Sequence, residues 1–299
     1  MGFVLEPAQA KELIQRDPRN REVLFPYLNG EDLNSRPDCS ASRWVINFHD
    51  WPEEQARSYS EVFEIVERLV KPVRAKNNRK VYRDYWWQYG EKRPAMLRAI
   101  ADLDRVLVVA RVSKTCLPVF TSSGQVMSEQ TVVFTSDDPA QFGLLSSGIH
   151  FWWVATMAST LETRIRYTPS DVYETLPQPV LPSGSSLGHL GTVLNASRAA
   201  IMTERNLGLT KLYNAVHNDS VSDADIQQLR DTHEQIDQAV AQDYGWSDLD
   251  LRHNFYETRQ GLRHTLMPAI RGEILNRLLE RNHELHAAEV ENGMTPVRR

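Results

Sequence analysis

TLPQPVLPSGSSLG, Thr175 to Gly188, is the stretch on which the reading of the fold turns. Pro177, Pro179 and Pro182 remove backbone donors and fix φ, Gly184 and Gly188 loosen the chain, and Ser183, Ser185 and Ser186 compete for backbone hydrogen bonds. Regular structure stops there. Before it the chain mixes short helical patterns with β-branched runs. Beyond it the pattern is helical almost throughout. The expected architecture is therefore α+β: a mixed α/β domain over residues 1–180, a linker at 181–186, an all-helical domain at 187–292 and a frayed, disordered tail at 293–299.

Upstream of the linker, PAQAKELI reads as a helix, RWVINF as a strand and YSEVFEIVERLVKPVRAK as a helix with Val62, Ile65, Val66 and Leu69 at helical spacing. RVLVVARV, CLPVFT and QTVVFT read as strands, PAMLRAIADL and GIHFWWVATMAS as helices, and Ser136 and Asp137 as the capped start of another. Downstream, LGTVLNASRAAIMTERNLGLTKLYNAV, SDADIQQLRDTHEQIDQAVAQDYG with Ser222 as N-cap, and AIRGEILNRLLERNHELHAAEVE suggest a helical hairpin or small bundle.

With 299 residues, 41% of them hydrophobic and 24% charged, the chain has the composition of a folded soluble protein. No apolar run reaches the length of a membrane span, and MGFVLEPAQAKELIQ lacks the charge and apolar segments of a secretory signal, so a cytoplasmic location without membrane attachment is expected. Cys39 and Cys116 form no C-x-x-C pair and are too few for a disulfide framework. Neither G-x-G-x-x-G nor G-x-x-x-x-G-K-[ST] occurs, and H-E-x-x-H is absent. Asp248, Asp250 and His253 in WSDLDLRHNF have side chains suited to a metal, though Asp residues in such a turn more often cap a following helix.

The stronger signal is charge. Formal net charge is -5, yet between Arg68 and Arg98 ten basic residues face only Asp84 and Glu91, a local balance of +8. Arg74, Lys76, Arg79, Lys80 and Arg83 interleave with Tyr82, Tyr85, Trp86, Trp87 and Tyr89. Cations so gathered suit a phosphate backbone, where binding releases condensed counterions; the alternative is a solvated helix face seated by its aromatic residues. A second polar group lies at the end of an apolar strand, Arg111, Ser113 and Lys114. A third lies in STLETRIRYTPSD, where alternation puts Glu162, Arg164 and Arg166 on one face of an extended segment. Arg reads guanine acceptors and Glu accepts from cytosine, so this row is able to read base edges, or equally to pair with itself on an exposed strand.

FPYLNGEDLNSRPD, RWVINFHDWP, KPVRAKNNRKVYRDYWWQYGEKRP, RVLVVARVSKT and LETRIRYTPSDVYETLPQP together resemble the target-recognition region of MmeI-like type II restriction-modification proteins and their adenine-specific DNA methyltransferase relatives. RAAIMTERNLGLTKLYNAVHN and YGWSDLDLRHNFYETRQGLR resemble the segment that follows it. The resemblance implies sequence-specific recognition of double-stranded DNA, with Glu162 and Arg164 as base readers, Arg166, Arg111 and Lys114 as further candidates, and phosphate contacts from the basic island. FPYLNGEDLN reads as a shaping block from which Asn29 and Asn34 can still reach DNA.

The family's methylation motif, [DNS]PP[YFW], is missing, since no PP dipeptide occurs, and no nuclease core is evident. The resemblance thus implies a non-enzymatic specificity portion of a restriction-modification or phage-defence system. S-adenosylmethionine and magnesium are then expected only on methyltransferase or nuclease domains outside this chain. Two other readings stay open: a module that docks on a methyltransferase subunit without touching DNA, and a metal-dependent nuclease using Asp248, Asp250 and His253.

Overall fold

The computed structural model describes residues 2–90, 92–161, 164–182 and 184–293. Four small sheets and a set of helices build it. The first sheet runs in the order Val4–Leu5, Arg43–Ile46, Leu24–Leu28, Val126–Met127, antiparallel except for its last pair. In the second, Arg105–Ala110 lies between Val119–Ser122 and Thr131–Phe134, antiparallel to both. The third places Arg164–Arg166 between Val112–Ser113 and Ser159–Leu161.

The α+β class holds, with helices dominating the C-terminal region as Leu187–Glu204, Leu209–Val216, Ala224–Asp243 and Pro268–Glu291. That region also contains an antiparallel hairpin, Asn254–Thr258 with Gly261–Thr265, where an entirely helical domain was expected. Its inward residues include Arg263 and Thr265, both buried, so the strands bury polar groups and lack the apolar alternation that marks a strand in sequence. Two cap assignments also shift by one residue. Asp138, whose carboxylate accepts from the Ala140 N–H at 2.8 Å, caps the helix Pro139–Ser146, and Asp223 rather than Ser222 occupies the N-cap of Ala224–Asp243.

Two apolar clusters form the core. The smaller gathers Phe3, Leu24, Val45, Phe48, Val62, Phe63, Val66, Trp86 and Trp87. The larger runs from Leu28 through Val106–Ala110, Phe142, Trp153 and Ile165 to Leu194, Leu212, Ile236 and Leu278, and so takes residues from both sides of the proline-rich stretch. Helix Leu187–Glu204 lies so close on helix Pro139–Ser146 that a Cβ at Gly191 would collide with the Pro139 carbonyl. Only glycine fits that crossing. Among the described residues, no helix is long and apolar enough to cross a membrane.

Candidate nucleic-acid interface

Strand Arg164–Arg166 is the centre of the third sheet. Ile165 stands opposite Ser113 on one side and Thr160 on the other, and Arg166 stands opposite Val112 and Ser159. Strand alternation turns Ile165 into the core, where it is 1% exposed, and leaves Arg164 and Arg166 on the open face. Burying that isoleucine is worth about 1.5–3 kcal/mol, enough to hold a three-residue strand against its neighbours. The Tyr167 N–H then donates to the Arg111 carbonyl at 2.7 Å, and the Arg111 N–H donates to the Gln130 carbonyl at 2.8 Å. Two segments far apart in sequence are thereby locked side by side.

Between them lies a cleft of about 840 Å³ whose wall contains Arg111, Lys114, Arg164 and Arg166. Four of the sequence-predicted readers thus share one surface, and among the described residues Glu31 and Glu129 line it beside them. Glu162 lies outside the described residues. Lys114 is exposed, while the Nε of Arg111 is buried without a hydrogen-bond partner, so its side chain is partly committed to the wall. The opposite rim is helix Gly30–Ser35, from which Asn34 and Ser35 line the cleft. Asn29 is its cap: Oδ1 accepts from the Glu31 N–H at 2.8 Å and the Asp32 N–H at 3.1 Å, while Asp32 accepts from the Asn29 N–H at 3.1 Å. That reciprocal box occupies Asn29, leaving Asn34 as the residue of the pair that reaches the cleft. Gly30 is needed where it stands, because a Cβ there would lie 2.9 Å from the Gln130 carbonyl oxygen.

Sequence reading passed over Gln130 and Thr210, which also line the cleft. Thr210 belongs to helix Leu209–Val216, beyond the proline-rich stretch, and nothing in its local sequence distinguishes it. Also passed over was GSSLG, Gly184 to Gly188, which has the G-x-S-x-G spacing of a nucleophile elbow. Among the described residues no strand leads into it, and Ser186 opens a helix in αR geometry, so the strand–turn–helix that exposes such a serine is not formed.

None of the five residues of the basic island lines the cleft. The island forms the short helices Lys71–Arg74 and Lys80–Asp84, separated from Ser60–Leu69 by a break at Val70. Trp86 and Trp87 are buried at 7% exposure each, Trp86 edge-on to Phe63 and Trp87 donating from its indole N–H to the Trp51 carbonyl at 2.9 Å. They are core, not a stacking platform. Arg74 packs over Phe3 and Tyr82 and donates from one nitrogen to the carbonyls of Trp86 at 3.1 Å and Gln88 at 2.5 Å. Partial burial lowers its pKa from the usual guanidinium value. Arg83 donates to the Asn77 carbonyl at 2.6 Å while remaining exposed, and Lys76, Arg79 and Lys80 are exposed.

The Asp248, Asp250 and His253 group is dispersed. Asp248 pairs with Arg277 at 2.6 Å, Asp250 with Arg252 at 2.6 Å, and His253 with Asp237 at 2.9 Å. Among the described residues, no group of three carboxylate, imidazole or thiol side chains is arranged to hold a metal ion.

No curated protein matches the chain in sequence. Its fold is similar to that of the type IIL restriction-modification enzyme MmeI solved in complex with DNA, with a TM-score of 0.66 and 19% identity over 96% of this chain. The chain spans only 34% of the length of that structure. Residues 1–180, more than half of the sequence, match the family described as the MmeI target recognition domain, and the chain belongs to that family.

Proposed function

We propose that the chain reads a short sequence of double-stranded DNA on behalf of a restriction-modification enzyme, with Arg164, Arg166, Arg111 and Lys114 facing base edges and Glu162 beside them. The observation that carries this reading is the meeting of four of these cations in one cleft, two on the strand Arg164–Arg166 and two flanking Val112–Ser113, which pairs with it. Arg166 stands on backbone paired on both sides and Arg164 on backbone paired with Leu161, which suits bidentate readout of guanine. Lys76, Arg79, Lys80 and Arg83 contribute the phosphate grip, whereas Arg74 serves chiefly to hold the tandem-tryptophan turn in place.

In this proposal methyl transfer and cleavage belong to domains or subunits outside residues 1–299, together with S-adenosylmethionine and magnesium, in a cytoplasmic defence system. The chain divides functionally near residues 181–186, the helical part bracing the recognition part. A docking role for that helical part is favoured by the far end of Pro268–Glu291, where Leu285 and Val290 are about half exposed (49% and 50%).

Selection from a pool of random duplexes at low salt, followed by sequencing, tests the reading. An enriched short motif that changes at one position in Arg166→Ala is the expected result. Salt-sensitive binding without enrichment would move specificity elsewhere, and no binding at all would leave only the docking role.

A further inference from the structure

Behind the loop that carries Lys114 lies a second, smaller cavity of about 60 Å³, walled by Thr115, Ser146, His217, His233 and Arg263 among others. Apolar side chains such as Leu117 and Val216 share its wall with these polar groups, and the polar groups are incompletely matched. Arg263 is 8% exposed, yet its guanidinium lies over the Phe151 ring at 4.1 Å and makes one long hydrogen bond, 3.5 Å, to the Lys114 carbonyl. No carboxylate pairs with it among the described residues. Both ring nitrogens of His217 and the hydroxyl of Ser146 are shielded from solvent and have no partner.

Arg230 provides the contrast. It is equally buried, at 3% exposure, but donates to the carbonyls of Ala215, Val216, Asn218 and Val221 at 2.8–3.2 Å, capping the end of helix Leu209–Val216. One buried guanidinium is fully solvated by backbone; the other faces a void. Leaving a buried charge without compensation is costly, and so is leaving buried polar atoms unbonded.

We propose that this cavity binds a small tetrahedral oxyanion of the phosphate or sulfate class, held by Arg263 with hydrogen bonds from His217 and Ser146. Guanidinium forks match such oxygens in charge and geometry, and neutral imidazole and hydroxyl groups supply the remaining donors. Burial beside Arg263 keeps His217 neutral at ordinary pH, with one N–H to give. The Asp237 carboxylate also lines the cavity, and both its oxygens already hold partners. Its Oδ2 is paired with His253 at 2.9 Å and its Oδ1 accepts the Gly148 N–H at 2.5 Å. Glu234, 41% exposed, lies on the solvent side against His264 at 3.3 Å. The site does not depend on the DNA reading, because its side chains are distinct from those facing the cleft.

The probe is inorganic phosphate, titrated into the full chain against chloride at constant ionic strength while the imidazole resonances of His217 and the melting temperature are followed. Saturable movement of the His217 signals with a rising melting temperature is expected, and Arg263→Gln should weaken the apparent affinity about tenfold or more. Should Arg263→Gln fail to fold, Ser146→Ala provides the second variant, with a smaller loss of affinity expected. His217 resonances that stay fixed across the titration, or an unchanged response in the variants, would overturn the site; phosphate on the exposed lysines and arginines would give that second pattern.

Discussion

The Tyr167 hydroxyl donates to Nε2 of His150 at 3.0 Å, directly beneath the strand that presents Arg166. Nδ1 of the same ring lies 2.8 Å from the Leu145 carbonyl and must carry the proton, which leaves Nε2 as acceptor and assigns the hydroxyl as donor. Both residues are buried, and burial lowers the His150 pKa to about 4. Tyr167→Phe should therefore cost about 1–3 kcal/mol by leaving a buried acceptor unmatched, as urea denaturation would show. A loss within experimental error would mean the hydrogen bond is replaced by another.

The same burial makes stability depend on pH in a defined window. His150, His233 and His264 are all held at about 4 by desolvation, below the 6.5 of an unfolded histidine. Between those values the unfolded chain binds more protons, so stability is intact above pH 6.5 and falls as pH drops toward 4. The slope approaches about 1.4 kcal/mol per pH unit for each fully buried residue. Melting temperatures across pH 4–7 check this.

His253 runs the other way. Although burial opposes its charge, hydrogen bonding and attraction to Asp237 raise its pKa above 6.5. Its contribution is present below the unfolded value and is lost as pH rises through the folded one. Asp237→Asn should bring the His253 titration below 6.5, measured by NMR of its ring protons; an unmoved midpoint would show that the carboxylate is not the cause.

Arg74 and Lys80 should separate cleanly. Arg74→Ala removes the donor to the Trp86 and Gln88 carbonyls and should destabilise the fold by about 1–3 kcal/mol with a change in tryptophan emission. Lys80→Ala, at an exposed position, should leave stability within about 0.5 kcal/mol and, on the proposed function, reduce the salt slope of DNA binding by about 1. Equal effects from both would dissolve the distinction between tether and grip.

Gly191→Ala drives a methyl group into the Pro139 carbonyl where two helices cross. A loss of about 1–3 kcal/mol or more is expected, seen in thermal melts, because neither backbone can retreat without opening the core between them.

Much of this was legible in the residues themselves. Alternation in LETRIRYT foretold Arg164 and Arg166 on one face of an extended segment, and the apolar run RVLVVARV foretold a strand, because each follows from a local pattern. Sharing of one cleft by Arg111, Lys114, Arg164 and Arg166 was not a local property, and depended on a strand pairing that sequence spacing does not specify. The setting of His233 was not a local property either. His233 sits among Gln and Asp on a helix that looks solvated, yet tertiary packing turns it toward Tyr213, whose hydroxyl lies 2.7 Å from its Nε2. Arg74 carried the sign of a phosphate contact, but its reach to carbonyls beyond Tyr85 depends on how the chain doubles back.

The larger apolar cluster carries a consequence for synthesis. Its members begin at Leu28 and end at Leu278, so the cluster can close only after the ribosome has released the residues up to Leu278. Until then the face of Phe142 and Trp153 that receives Leu187, Leu194 and Ile236 stays wet, and a nascent chain stalled after residue 180 would expose it to chaperones and proteases. The boundary that delimits the family match is thus no boundary for folding: helix Pro268–Glu291 packs on Gly148–Met157, which lies within the matched residues.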